Sequence, residues 1–170
     1  TPDGACGLAW TESGLTRVRP FEANAARAAS CLPTTHVPDS EVPPPVAGAI
    51  ASLRAFLAGK PTDFAGVALD MSGISEFEAS LYRALREVGW GETVSYGELA
   101  RRIGADAGAA RAVGMAMGRN PWPLIVPCHR VLTSDGKLGG FSAPGGGRTK
   151  TMLLAREGVH LDGGQLALFE

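Results

Sequence analysis

The sequence is short of cysteine, lacks any long apolar run and carries almost no net charge, and each shortage closes off a class of protein. Three cysteines, Cys6, Cys31 and Cys128, stand far apart in 170 residues. An odd and scattered set does not make a disulfide framework, and it fits a reducing compartment. Cys6, Cys31 and His36 form a fragment of a metal site, but the other histidines are His129 and His160, and a structural zinc takes four ligands. No metal and no cofactor are expected. No stretch approaches the ~18 apolar residues of a membrane-crossing helix. The opening Thr1-Pro2-Asp3-Gly4 has neither the basic region nor the apolar core of a secretory leader. A cytoplasmic, monomeric protein without membrane contact is the expectation. The length allows one medium domain or two small ones.

The net charge of −1 conceals an asymmetry. Residues 1–100 hold 7 basic and 12 acidic side chains, whereas residues 101–150 hold 8 basic and 2 acidic. Positive charge therefore gathers around Cys128, as a polyanionic partner requires, although a solvated charged face gives the same count.

Patterning divides the chain. Leu8–Trp10 and Leu15–Arg19 read as strands joined by a turn. The Ala-rich stretch from Glu22 to Cys31 reads as helix. Residues 32–45 hold five of the twelve prolines and read as a surface loop. Val46, Ile50, Leu53 and Leu57 recur at helical spacing beside Phe56, and Gly59 stops them. Phe64–Leu69 reads as a strand. This makes a small α/β domain over 1–70, followed by a linker at 71–75.

Ser75 and Glu78 form a capping box ahead of an apolar stripe of Phe77, Leu81, Leu85 and Val88, which Gly89 ends. A second box, Ser95 and Glu98, opens a helix to Ile103. A turn over Gly104–Gly108 then leads into a helix from Ala109 to Met117. Helix, short turn, helix is the outline of a helix-turn-helix. In its second helix Ala109, Ala110, Ala112, Gly114 and Ala116 leave a nearly bare surface, with Arg111 as the one long exposed side chain. A major-groove reader needs several polar groups aimed at base edges, whereas a smooth helix with one arginine suits the minor groove. Val113 and Met117 face the core, and Met117 can also line a pocket. Gly114 permits close approach either of DNA or of another helix. A hairpin around Ser134-Asp135-Gly136, a Gly-rich loop over 139–147 and a helix from Thr149 to Arg156, stopped by Gly158, complete a mostly helical domain over 76–160. The residues 161–170 form a tail. The fold class is α/β, with a winged helix-turn-helix in the second domain.

Between these helices lies Asn120-Pro121-Trp122-Pro123-Leu124-Ile125-Val126-Pro127-Cys128-His129-Arg130-Val131. Leu124–Val126 reads as a buried strand that delivers Cys128 and His129 at its end. A thiol attacks as thiolate, and an imidazole that takes its proton activates it. Neighbours on extended backbone diverge, so His129 would reach Cys128 through a water or across a local turn. A buried cysteine beside a core histidine is the plain alternative.

The string 120–131 resembles the active-site motif of O6-alkylguanine-DNA alkyltransferases, the methylated-DNA–protein-cysteine methyltransferases. The similarity extends from Phe77 to Gly158 and includes Gly91-Glu92-Thr93-Val94-Ser95-Tyr96, Ala110-Arg111-Ala112-Val113-Gly114 and Ala155-Arg156-Glu157-Gly158. The resemblance implies irreversible, single-turnover transfer of an alkyl group from O6 of guanine in double-stranded DNA to Cys128. It implies His129 as the water-mediated base, Glu157 as its orienter, Asn120 as support near the thiol and Tyr96 as proton donor to the departing guanine. Arg111 would fill the place of the flipped nucleotide, with Ala110, Gly114, Thr93 and Ser95 along the DNA. The Cys128 and Val131 carbonyls, Ser142, Phe141 and Met117 would surround the base. A nucleoid-associated protein follows, and the Ala, Gly, Arg and Pro content suits a bacterium. Two departures from the resembled pattern are Phe141, where many relatives have tyrosine, and a longer loop between Phe141 and Lys150. A thiol hydrolase built on Cys128 and His129, and a non-catalytic helix-turn-helix module that binds DNA lesions, remain as other readings.

Overall fold

The computed structural model describes residues 3–32 and 37–161. They form two compact units, the first comprising Thr1–Gly73 with Pro121–Ile125, the second Ile74–Asn120 with Val126–Glu170. His36, and with it the histidine of the Cys6–Cys31–His36 fragment, lies outside the described residues, as does the tail from 162 onward. Among the described residues no cluster of three His, Cys, Asp or Glu side chains is arranged to hold a metal ion. No described helix is long and apolar enough to cross a membrane.

In the first unit, β1 (Ala5–Thr11) and β2 (Gly14–Glu22) pair antiparallel, with Leu8 opposite Val18 and Thr11 opposite Gly14. Gly14 is required at the turn: its φ is +138°, and a Cβ there would lie 2.6 Å from the Ala68 backbone. α1 (Ala25–Ser30) is short and starts at Asn24, whose side chain accepts from the Arg27 N–H. α2 (Pro44–Leu57) begins with prolines where their missing N–H groups cost nothing, and it buries Val46, Ala49, Leu53, Phe56 and Leu57. Phe56 meets Phe64 with ring centroids 5.7 Å apart. Trp122 is buried here and donates to the Leu15 carbonyl at 2.7 Å.

Phe64–Leu69 is not a strand. Asp63 accepts from the Ala65 N–H and Val67 bonds back to Phe64, so the segment turns, leaving an isolated bridge between Leu15 and Leu69. Leu124–Val126 is not a strand either: Leu124 sits at φ +77°, in the left-handed region, which breaks any extended run.

In the second unit, α3 (Glu76–Arg86) is capped by Ser75, which accepts from the Glu78 N–H and donates to the Glu78 carboxylate. It buries Ala79, Leu81, Tyr82 and Leu85, but Phe77 is 37% exposed and leaves the expected stripe. α4 (Tyr96–Arg102) starts at Ser95, whose hydroxyl accepts from the Glu98 N–H. α5 (Ala110–Arg119) is held to α3 by the Tyr82 hydroxyl, which donates to the Ala116 carbonyl at 3.0 Å. α6 (Gly146–Arg156) packs Leu153 and Leu154 into the interior. The hairpin expected around Ser134-Asp135-Gly136 is a tight turn without a second strand. Its leading arm, β4 (Val131–Leu132), instead pairs parallel with β3 (Val94–Ser95), 37 positions earlier for Val94 and Val131.

Candidate active site

The cysteine sits on a tight turn. Cys128–Arg130 form one turn of 3-10 helix, with the Cys128 N–H donating to the Val126 carbonyl and the Arg130 N–H to that of Pro127. This turn, rather than an extended end, separates Cys128 from His129. The Asn120 side chain donates to the Val126 carbonyl at 2.9 Å and hydrogen-bonds the Cys128 thiol. Burial pushes the thiol up from its ordinary value, against the opposing pull of Asn120 and the charge of Lys150. The resting group is therefore a thiol, and a base must take its proton.

His129 is fully buried. Its Nε2 lies 2.9 Å from Glu157 Oε1. Burial holds the imidazole below its ordinary pKa and outweighs the Glu157 carboxylate, with Arg130 and Lys150 opposing protonation further. A neutral ring that donates Nε2–H to Glu157 presents Nδ1 as acceptor. Glu157 itself follows the last turn of α6 as its C-terminal cap. Burial alone would raise its pKa, but hydrogen bonds from His129 and Arg130 bring it down to about 2. Arg130 grips the carboxylate with a fork, Nε to Oε2 at 2.9 Å and Nη2 to Oε1 at 2.8 Å, and spends Nη1 on the Val88 carbonyl at 2.5 Å.

A second buried cation lies across the site. Lys150 is 0% exposed and its Nζ donates to the carbonyls of Val131 (2.6 Å), Leu138 and Gly140 (3.5 Å). It also stands 5.9 Å from the centroid of the Tyr96 ring. Burial lowers its pKa to about 8. The Val131 carbonyl expected to receive a guanine amine thus already accepts from Lys150. Burial, with Cys128 nearby, raises the Tyr96 phenol above its ordinary value, so it keeps its proton.

A cavity of about 610 Å³ opens beside the thiol. Of the residues singled out from sequence, Cys128, Tyr96, Met117, Phe141 and Ser142 line it, as do Ala110, Arg111 and Gly114 of α5. His129, Glu157 and Asn120 lie behind the thiol in the network just described. Val131 is buried, Thr93 is exposed on the approach to β3, and Ser95 is engaged as the cap of α4; none of these three lines the cavity. Gly139 holds the wall close: at φ +61°, a Cβ there would stand 2.8 Å from the Tyr96 hydroxyl.

Sequence reasoning missed three contributors. Arg130 and Lys150 entered the count of positive charge around Cys128, yet both are buried. Lys150 had a signal, because Leu153 and Leu154 follow it at three and four positions, which puts a cation on the apolar face of its helix. The third is Met115. α5 is not bare apart from Arg111: Met115 is 56% exposed and lines the cavity, whereas Ala116, read as surface, is in the core.

Comparison with known proteins bears on this arrangement. Residues 76–159 match the family described as "6-O-methylguanine DNA methyltransferase, DNA binding domain". A methylated-DNA–protein-cysteine methyltransferase of Mycolicibacterium paratuberculosis is 50% identical over 121 residues, covering 71% of this chain and 70% of that protein. The crystal structure of the O6-methylguanine methyltransferase of Mycobacterium tuberculosis superposes with a TM-score of 0.72 at 40% identity, over 100% of this chain and 95% of the other. A Mycobacterium tuberculosis OGT solved in complex with DNA gives 0.65 at 41% identity, over 89% and 85%.

Proposed function

The chain belongs to the methylated-DNA–protein-cysteine methyltransferase family, and we propose that it repairs DNA by moving the alkyl group of an O6-alkylguanine onto Cys128. The observation that carries this reading is a buried thiol at the wall of a cavity with room for a nucleobase, backed by a histidine bonded to a carboxylate at 2.9 Å. A cavity of this volume suits a single small ligand, here one nucleobase.

The lesion lies inside a duplex, so its nucleotide is turned out of the stack into the cavity, which costs a few kcal/mol. α4, the following turn and α5 act as a helix-turn-helix that presents Ala110, Arg111 and Gly114 to the minor groove, with β3 and β4 as its wing. Thr93 and Ser95 lie along the DNA. Arg111 enters the place that the nucleotide leaves. The protein works as a monomer in the cytoplasm.

In the cavity, His129 Nδ1 takes the Cys128 proton through a water, while Glu157 holds the ring and stabilises the imidazolium that forms. The thiolate attacks the alkyl carbon. A carbon–sulfur bond forms as the carbon–O6 bond breaks, and its electron pair passes into the guanine. Tyr96 gives the departing guanine a proton, so that it leaves neutral, and the proton held by His129 returns to Tyr96 through water. Overall the thiol's proton is exchanged for the alkyl group. Ser142 faces O6, Phe141 stacks on the base, and Met117 borders the alkyl group. The thioether has no route back, so each chain reacts once.

Intact mass after incubation with a duplex bearing one O6-methylguanine tests the reading. The expected result is a gain of one CH₂ by the wild type and none by Cys128→Ala. A duplex that is bound but unchanged would leave only a lesion-binding module.

A further inference from the structure

The outward stripe of α5 runs through Ala110, Arg111, Gly114, Met115 and Gly118, the five α5 residues at the mouth of the cavity other than the buried Met117. Three of them are alanine or glycine, so Arg111 and Met115 are the two side chains that project. They stand four positions apart, on one face, one turn from each other. Met115 is 56% exposed, more than Phe77, the other large exposed hydrophobe among the described residues. Its helix already buries Val113 and Met117, so packing inside the unit does not account for it.

We propose that Met115 is an apolar wedge that works beside Arg111, filling the minor-groove side of the base step from which the alkylated nucleotide has been withdrawn. The inference rests on the reading given under Proposed function. Opening a base step exposes two aromatic faces to water. Arg111 covers part of them and supplies hydrogen bonds, but a guanidinium is planar and does not fill the gap. A methionine side chain is long, unbranched and polarisable, so it adapts to an irregular apolar space and makes favourable sulfur–aromatic contacts. Apolar side chains, methionine among them, serve as such wedges in minor-groove proteins. Alanine and glycine around it let the helix come close enough for a side chain of this length to reach. Met115 carries no charge and neutralises no phosphate, so its contribution is specific to an opened duplex.

The test compares rates of methyl transfer to Cys128 from one O6-methylguanine in duplex and in single-stranded DNA of the same sequence. A single strand has no opposite stack to hold apart. Met115→Ala and Met115→Gln should slow the duplex reaction roughly fivefold to tenfold more than they slow the single-strand reaction, the size of a modest apolar contact. Met115→Leu should restore the duplex rate. The salt dependence of duplex binding should keep its slope in all three variants. An unchanged duplex rate in Met115→Ala, or an equal fall on both substrates, overturns the wedge. A wild type inert toward both substrates overturns the alkyl-transfer reading itself, and the wedge with it.

Discussion

The two units bury different things. In the first, the interior is Leu15, Val18, Leu53, Phe56 and Trp122, and Glu22 is the one ionisable side chain buried among the described residues. The second buries His129, Arg130, Lys150 and Glu157 within a single site. Buried ions contribute little net stability even when well paired, and removing one partner is costly. The first unit is thus built to hold together, and the second to hold particular groups in particular places. Stability and chemistry should respond to different residues.

The sharpest way to break that contrast is a matched pair of substitutions. Arg130→Met strips Glu157 of its guanidinium and should cost about 3–5 kcal/mol in urea unfolding, together with at least a roughly tenfold loss of transfer rate as the His129 ring loses its orientation. Phe56→Ala should cost a similar ~3–5 kcal/mol by leaving a cavity, yet transfer at temperatures where the protein stays folded should remain within roughly twofold of wild type, because no group of the site is moved. Equal damage to transfer from both would erase the distinction. Lys150→Met keeps the length of the side chain but leaves the Val131 and Leu138 carbonyls without their donor, which should cost about 1–3 kcal/mol. Lys150→Met should also slow transfer, and Lys150→Arg, which keeps the charge, should slow it less.

Acid provides a version without mutation. Glu157 stands at about 2 against an ordinary 4.5, so its contribution is complete above 4.5 and is lost as pH falls through about 2. Fluorescence-monitored acid unfolding should show stability declining across that window, and Glu157→Gln should flatten the slope there. The smallest effect belongs to Ser75→Ala, about 1 kcal/mol from loss of the α3 cap, with the transfer rate unchanged.

Local chemistry was legible in the sequence; pairing at a distance was not. The capping serines at 75 and 95, the turn at Gly14, the helix that ends at Arg156 and the residues around Cys128 announce themselves through spacing and residue type. Leu124–Val126 misled because a short apolar run looks the same in a strand and in a buried turn. The turn at Ser134-Asp135-Gly136 points β4 to a neighbour in sequence, but its partner β3 lies far upstream, and two-residue strands carry no periodicity. Arg130 and Lys150 add to the positive charge around Cys128, but composition records sign and not burial. Met115 escaped because alternate small residues suggested a bare helix, and one residue's difference in phase decides whether Met115 or Ala116 faces out.

Lys150 has a practical consequence. Its lowered pKa, about 8, gives it a larger share of free amine near neutral pH than an ordinary lysine has, and so more intrinsic reactivity toward acylating reagents. Complete burial under three carbonyl oxygens withholds that reactivity. The chain's other lysines, Lys60 and Lys137, are both exposed. Amine-directed dyes, biotin esters and activated surfaces should therefore attach at Lys60 and Lys137 rather than at Lys150, so ordinary lysine chemistry can tether or label the protein while the Cys128 thiol is left unmodified.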